Sequence, residues 1–200
     1  DDKFSGYKFD YIISNPPFGI EWKNEKAAVE AENKKGDMGR FGAGLPAIGD
    51  SQQLFVLNGV AKLKDTGRMA IIQNGSPLFK GDAGSGESNI RGYLLDNDWL
   101  EAIIQIPNDM FYNTGIATYI WIVTKDKAIE RAGKVQLIDA SKCCVKRRKP
   151  LGNKRNEFTD ECIKLIAQAY GEFSDDVYRD EEYGLEVEVK IKDTEDFKYT

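Results

Sequence analysis

Apolar and polar positions along the chain change period several times, and each change marks an element. The run Phe9-Asp10-Tyr11-Ile12-Ile13-Ser14, β-branched and aromatic and stopped by Pro16 and Pro17, predicts a buried strand whose carboxyl end falls at Asn15. Gly19 to Gly49 is polar, carries Gly36, Gly39, Gly42, Gly44 and Gly49, and shows little periodicity. A segment of that kind is expected to be a long loop that closes over whatever binds at the strand end, with Arg40 and Phe41 its most contact-capable pair. Asp50 to Lys64 predicts a helix. Asp50 caps it with Gln53 three residues on, Leu54, Leu57, Val60, Ala61 and Leu63 form one apolar face, and Gly67 ends it. Arg68 to Gln73 then reads as a second strand, which a parallel crossover places beside the first.

Gly81 to Ser88 contains a Gly-x-Gly but neither a Gly-Lys-Ser/Thr ending nor a third fingerprint glycine, so a flexible loop is expected there. Asn89 to Asn97 predicts a short helix turning Ile90, Tyr93 and Leu94 inward, and Trp99 to Ile106 a third strand closed by Pro107. Ile116 to Thr124 is strongly apolar. Only the nine residues 107–115 separate it from the third strand, too few for a helical crossover, so it is expected to run antiparallel. Lys134 to Ala140 predicts a further strand, and Phe158 to Tyr170 a helix with Ile163, Ile166, Ala167 and Tyr170 on its inner face. Leu185 to Ile191 predicts an alternating edge strand. No internal repeat or low-complexity segment is visible.

Two hundred residues with 41% apolar and 11% aromatic content suffice for one domain with its own core. No run approaches a membrane-spanning length and the start is polar, which favours a cytoplasmic protein without a membrane anchor. The chain lacks an initiator Met and enters a core strand within a few residues, which suggests a fragment. Cys143, Cys144 and Cys162 are odd in number and read as reduced and structural. The absence of histidine excludes zinc held by Cys and His, every Ser-His or Cys-His nucleophile, and the usual neutral-pH general base; no metal site is expected. The net charge of −5 is unevenly spread. Lys142 to Arg155 holds seven basic residues and no acidic one, whereas residues 156–200 hold five basic against fourteen acidic. Lys146, Arg147, Arg148, Lys154 and Arg155 are therefore candidate phosphate contacts, a solvated basic loop being the equal alternative.

The candidate chemistry lies in Asn15-Pro16-Pro17-Phe18. At the carboxyl edge of an α/β sheet, where ligands bind, Asn15 Oδ1 and the Pro16 carbonyl can each accept one hydrogen of an exocyclic amine while Phe18 stacks on the ring that bears it. Taken alone the tetrapeptide is equally a turn, since Asn opens turns and Pro fixes φ.

The tetrapeptide resembles the [DNS]-P-P-[YFW] motif of amino-group methyltransferases. The order strand, helix, strand, helix, strand, antiparallel strand resembles the second half of their Rossmann-like fold. Gly67-Arg68-Met69-Ala70-Ile71-Ile72 with Pro77-Leu78-Phe79, Ile106-Pro107 with Phe111, and Thr114-Gly115-Ile116-Ala117-Thr118 are similar to the modification subunit of type I restriction-modification systems. Asp50-Ser51-Gln52-Gln53-Leu54-Phe55 and Lys154-Arg155-Asn156 are similar to it too, over roughly residues 9–170. The resemblance implies an α/β fold made of the second half of an S-adenosylmethionine-dependent methyltransferase, parallel strands with an antiparallel last one. Residues 1–140 would be that half and 141–200 a small α/β extension of basic loop, helix and acidic tail.

It further implies N6-methylation of a flipped adenine in double-stranded DNA, alongside a specificity subunit and a restriction subunit. Asn15, Pro16, Pro17 and Phe18 would be the catalytic motif, and Phe18 and Phe111 the base-holding rings, with Tyr112 the neighbouring rival. The family's glycine-rich cofactor loop and acidic ribose ligand precede the tetrapeptide, and neither is among the fourteen residues before it here. Both are therefore expected upstream of Asp1, which leaves Asn15 as the one candidate cofactor contact in this chain. Two other readings stay open: methylation of a protein glutamine or RNA base amine, and a non-catalytic module of a DNA-binding assembly.

Overall fold

A computed structural model describes residues 4–197. Asp1, the boundary beyond which the main cofactor motifs were expected, lies outside the described residues. The strand β1 (Phe9–Ser14) stops at the two prolines, and α1 (Lys26–Asn33) follows it. Next come α2 (Gln52–Lys62), β2 (Leu63–Asn74), the single turn α3 (Ser76–Phe79), α4 (Gly86–Asp96), β3 (Leu100–Ile106), β4 (Thr118–Thr124) and β5 (Lys134–Asp139). A hairpin β6 (Val145–Leu151) and β7 (Lys154–Glu157), then α5 (Asp160–Glu172), β8 (Val177–Asp180) and β9 (Leu185–Asp193) complete the chain.

Seven strands form one sheet in the order β1-β2-β4-β3-β5-β9-β8, and β6 pairs with β7 apart from it. β1 lies parallel to β2 and β3 parallel to β5, while β4 runs antiparallel between β2 and β3. This is the parallel crossover and the antiparallel last strand that the loop lengths dictate. Because β1, β2, β3 and β5 share one direction, the segments that follow each of them, and the one that enters β4, all gather at the same sheet edge.

The core sits on both sheet faces. Val56, Val60, Leu63, Met69, Ile71, Leu94, Trp121 and Val123 pack under α2 and α4; Ile104, Ile138, Cys143, Cys162, Leu165, Ala169 and Val187 pack under α5. β1 pairs with β2 alone among the described residues, and Tyr11 (78% exposed) and Ile13 (91% exposed) stand open to solvent. The strand expected to be buried is therefore an exposed edge here.

Several local expectations are corrected. The glycine-rich segment after β1 is no open loop: it carries α1, and Trp22, Val29 and Phe41 pack against Leu54, Leu57 and Ile90. Phe41 is buried and Arg40 lies over its ring at 5.2 Å while bonding Asn58 at 3.1 Å, so the pair staples the segment down. α2 ends at Lys62, not at Gly67, while at its start Asp50 caps as expected, its Oδ1 accepting from Gln52 N at 3.2 Å. Gly67 lies inside β2, where the side chain of Leu63 comes within 2.8 Å of the position a Cβ would take. The basic stretch forms the β6–β7 hairpin and not a loop. α5 turns Cys162, Leu165 and Ala169 inward and leaves Ile163 56% exposed. β9 is interior, flanked by β5 and β8.

Burial, first, and the neighbouring Cys162 push the Cys143 thiol up to about 12. At pH 8 only about one thiol in ten thousand would be thiolate, the form that reacts. Iodoacetamide at that pH is therefore expected to leave Cys143 unmodified in the native protein and to label it once urea is added. Native-state labelling of Cys143 seen by peptide mass mapping would contradict this placement.

Candidate active site at the carboxyl edge of the sheet

Pro16 lacks a backbone N–H and so cannot extend the ladder, which ends β1 at Ser14 and turns the next groups off the sheet edge. Pro16 is buried, Asn15 and Pro17 are exposed and Phe18 is half-buried. Neither the Asn15 side-chain oxygen nor the Pro16 carbonyl takes a hydrogen bond from any described residue, so both acceptors are uncommitted. Behind them the segment is fixed: Ser51 N donates to the Ile20 carbonyl at 3.0 Å, tying the tetrapeptide to the start of α2.

That helix start is in turn bonded to the end of β2. Gln52 Nε2 donates to Asn74 Oδ1 at 2.9 Å, Asn74 N donates to Gln52 Oε1 at 2.9 Å, and Gln73 Nε2 donates to the Gln52 carbonyl at 3.1 Å. Gln52 and Gln73 are fully buried, and paired amides at such positions hold a unique geometry where apolar side chains would slide. Sequence reasoning assigned these residues no role beyond a cap. Three glutamine or asparagine positions at the junction of a helix start and a strand end were the available signal.

Phe111 lies on the loop between β3 and β4, at the same edge. The structure brings it to Phe18: the ring centroids are 6.4 Å apart with planes at 89°, an edge-to-face contact. A flat ring stacked on one phenyl would meet the other edge-on, so a base held between two faces requires one ring to turn. Phe111 is half-buried against the α5-side core, whereas Tyr112 is 64% exposed.

The basic hairpin meets this loop directly. Arg155 N and Asn156 N both donate to the Asp109 carbonyl, at 2.9 and 3.2 Å, and Asn153 N donates to the Tyr112 carbonyl at 2.9 Å. Asn156 Nδ2 donates to the Asn108 carbonyl at 2.8 Å. Of the candidate phosphate contacts, Lys146, Arg148 and Arg155 are exposed and Lys154 is half-buried. Arg147 is ion-paired with Glu157 and so is the least free of the five.

Gly81 to Ser88 offers no anion cradle. Arg91 closes it, Nη1 donating to the Lys80 carbonyl at 2.6 Å and Nη2 to that of Gly81 at 3.4 Å, and Ser85 spends its hydroxyl capping α4 through Ser88 N. No group of three or more His, Cys, Asp or Glu among the described residues is placed to hold a metal, and no described helix is long and apolar enough to cross a membrane. A groove of about 1080 Å³ lies under α4 against Ile103, Tyr119 and Leu137 and includes none of Asn15, Phe18 or Phe111.

A family model described as N-6 DNA methylase matches residues 1–199. The type I restriction enzyme MjaIX methylase subunit of Methanocaldococcus jannaschii is 27% identical over 174 residues, 86% of this chain and 30% of that protein. The MjaVIII methylase subunit of the same organism is 31% identical over 84% of this chain and 27% of its own length. The methyltransferase subunit of the type I restriction-modification system of Streptococcus thermophilus superposes with a TM-score of 0.76 at 26% identity, over 96% of this chain and 36% of that one. The chain thus spans about a third or less of these relatives. A strand ending in Asn-Pro-Pro-Phe, an antiparallel strand two places along the sheet from it and a family match over nearly every residue agree: the chain belongs to the N-6 DNA methylase family.

Proposed function

We propose that this chain is the base-gripping half of a DNA adenine N6-methyltransferase of the type I restriction-modification kind. The longer protein acts in the cytoplasm on double-stranded DNA, with a specificity subunit that chooses the sequence and a restriction subunit beside it. The observation that carries this reading is the pair of uncommitted acceptors, Asn15 Oδ1 and the Pro16 carbonyl, beside the Phe18–Phe111 ring pair. Residues 1–140 are the catalytic half in this reading, and 141–200 an extension that presents the basic hairpin to the duplex.

The amino nitrogen of adenine is a poor nucleophile because its lone pair is delocalised into the ring. Two acceptors that hold its hydrogens favour a geometry in which the lone pair points out of the ring plane. Positive charge grows on that nitrogen during transfer, so both acceptors bind the transition state more strongly than the ground state. The extra proton can pass to water, and no histidine is needed. Flipping the base costs a few kcal/mol, which stacking on Phe18 or Phe111 offsets. S-adenosylmethionine supplies the methyl group when bound. Of the residues here, exposed Asn15 fits the methyl-bearing end of that cofactor, and the open edge of β1 leaves room beside it.

The full-length protein in its complete complex, given radiolabelled S-adenosylmethionine and duplex DNA, is expected to form N6-methyladenine. Label appearing in a protein glutamine or in RNA and not in DNA would overturn the reading. Phe111→Ala should weaken binding to the cognate duplex by roughly 1–3 kcal/mol, and Phe111→Trp should largely preserve it. A complex with Tyr112 against the base and Phe111 turned away would show the wrong ring had been chosen.

A further inference from the structure

The hairpin and the Phe111 loop form one hydrogen-bonded unit although 48 residues separate Asn108 from Asn156. Asp109 adopts a left-handed backbone with φ of 56°, uncommon for a non-glycine residue though easier for Asp than for most, and its surroundings hold it there. The surroundings are visible: its carbonyl accepts from two successive amides of β7, and Gly115 leaves room for its carboxylate, which comes within 2.4 Å of the position a Cβ would take there. At the hairpin turn Gly152, with φ of 60°, has the Tyr112 carbonyl 2.6 Å from its own missing Cβ. The loop residues on either side of Phe111 are thus both held by the hairpin, Asn108 and Asp109 before it and Tyr112 after it. The contacts are to backbone atoms, so they set where the Cα of Phe111 sits whatever its side chain does.

We propose that Asn156 is a positioning residue for base capture, acting through Phe111. Its amide fixes the Asn108 carbonyl, the β6–β7 hairpin thereby sets the height of the phenyl ring over the Asn15 acceptors, and a hairpin seated on the duplex backbone sets the ring in its working place. The inference rests on the reading of Phe111 as a base-holding ring. Asn156 touches neither substrate nor cofactor in this account, and its contribution is to a distance.

The test uses the full-length protein in its complete complex, with kcat and KM read on a duplex carrying the target adenine, located by mapping methylated bases, and fluorescence read on a second duplex with 2-aminopurine, which has no 6-amino group to methylate, in that position. Asn156→Asp keeps the shape and removes the donor. It is expected to lower kcat by roughly 10- to 100-fold with KM for DNA little changed, the signature of a misplaced reacting group. The bound 2-aminopurine should brighten as it loses its stacking ring, while the melting midpoint stays at the wild-type value. Gly152→Ala, which displaces Tyr112 from the other side, should shift kcat and fluorescence in the same direction. In a Phe111→Ala background the effect of Asn156→Asp should vanish, because a residue that acts through the ring has nothing left to position. Full additivity of the two substitutions, or a change in KM alone, would overturn the proposal while leaving the role of Phe111 intact. If Phe111→Ala itself alters neither the fluorescence nor kcat, the base-holding reading falls and this inference falls with it.

Discussion

Asn15→Ala in the full-length protein is expected to cut methyl transfer by roughly a hundredfold or more, the scale for removing one preorganised contact to a developing charge. Cofactor affinity should stay within a few-fold. The asymmetry follows from where the side chain sits. Asn15 is exposed at the sheet edge with no partner among the described residues, so its removal leaves the β1–β2 ladder and the Gln52–Asn74 bracket behind it untouched. Nothing in the packing predicts a folding defect. Single-turnover methylation measured with saturating cofactor and DNA separates the chemical step from binding. A mutant that methylates at near wild-type rate would remove Asn15 from the mechanism and leave the tetrapeptide as a turn.

Trp121→Ala is expected to destabilise the fold by about 3–5 kcal/mol, the usual cost of emptying a large aromatic site in a core. Against a total of roughly 5–15 kcal/mol for a domain, that is enough to populate the unfolded chain visibly at 37 °C. Trp121 is 1% exposed at the centre of β4, in register with Ile71 of β2 and Ile103 of β3, and its ring packs in the cluster under α2 and α4. Its Nε1 finds no partner, so Trp121→Phe, which keeps most of the ring and removes a buried donor, should cost far less. At the other extreme Ile13→Ser, on the open face of β1, should change stability by about 0.5 kcal/mol or less. Urea unfolding followed by tryptophan fluorescence and circular dichroism ranks the three. Equal midpoints for Trp121→Ala and Ile13→Ser would refute the assignment of the core.

The strands that carry a continuous apolar run were legible in the sequence because period and turn chemistry agreed, although β1 leaves Tyr11 and Ile13 exposed. β1, β2, β3 and β4 fall where Pro16, Pro107 and the short 107–115 connection place them. The elements that were not legible are those held by few or polar contacts. α1 buries only Val29 of its eight residues, so no apolar stripe announces it, and its docking depends on Trp22 and Phe41 outside the helix. Lys146-Arg147-Arg148-Lys149 has no alternation to suggest a strand, and the hairpin is set by main-chain bonds to a distant loop. In α5 two apolar sets share the helical spacing. The side that packs centres on Cys162, Leu165 and Ala169, with Ile166 and Tyr170 of the expected set at its border, while Ile163 and Ala167 stay outside. β9 became interior because a tetrapeptide, Val177-Tyr178-Arg179-Asp180, pairs beyond it, too short a run to be read as a strand. At the site, Asn15 and Phe18 were readable from adjacency to a strand end. The support from Gln52, Asn74 and Asn156 was not, since amides reveal partners only once the chain is folded.

The insertion of β4 between β2 and β3 sets a constraint on synthesis. A ribosome releases β2, α4 and β3 first, yet β2 and β3 share no ladder with each other, and each waits for the strand that comes after both. Until Thr124 has cleared the exit tunnel, the nascent chain holds the β1–β2 pair and a lone β3, each with an unsatisfied row of backbone donors and acceptors along the side that β4 will occupy. A transcript or a stalled ribosome that ends before Thr118 therefore yields the Asn-Pro-Pro-Phe segment without the strand that closes the sheet around it. Chaperones and proteases that recognise exposed apolar edges would dispose of that product, so a cell would accumulate this sheet only from messages read through Thr124.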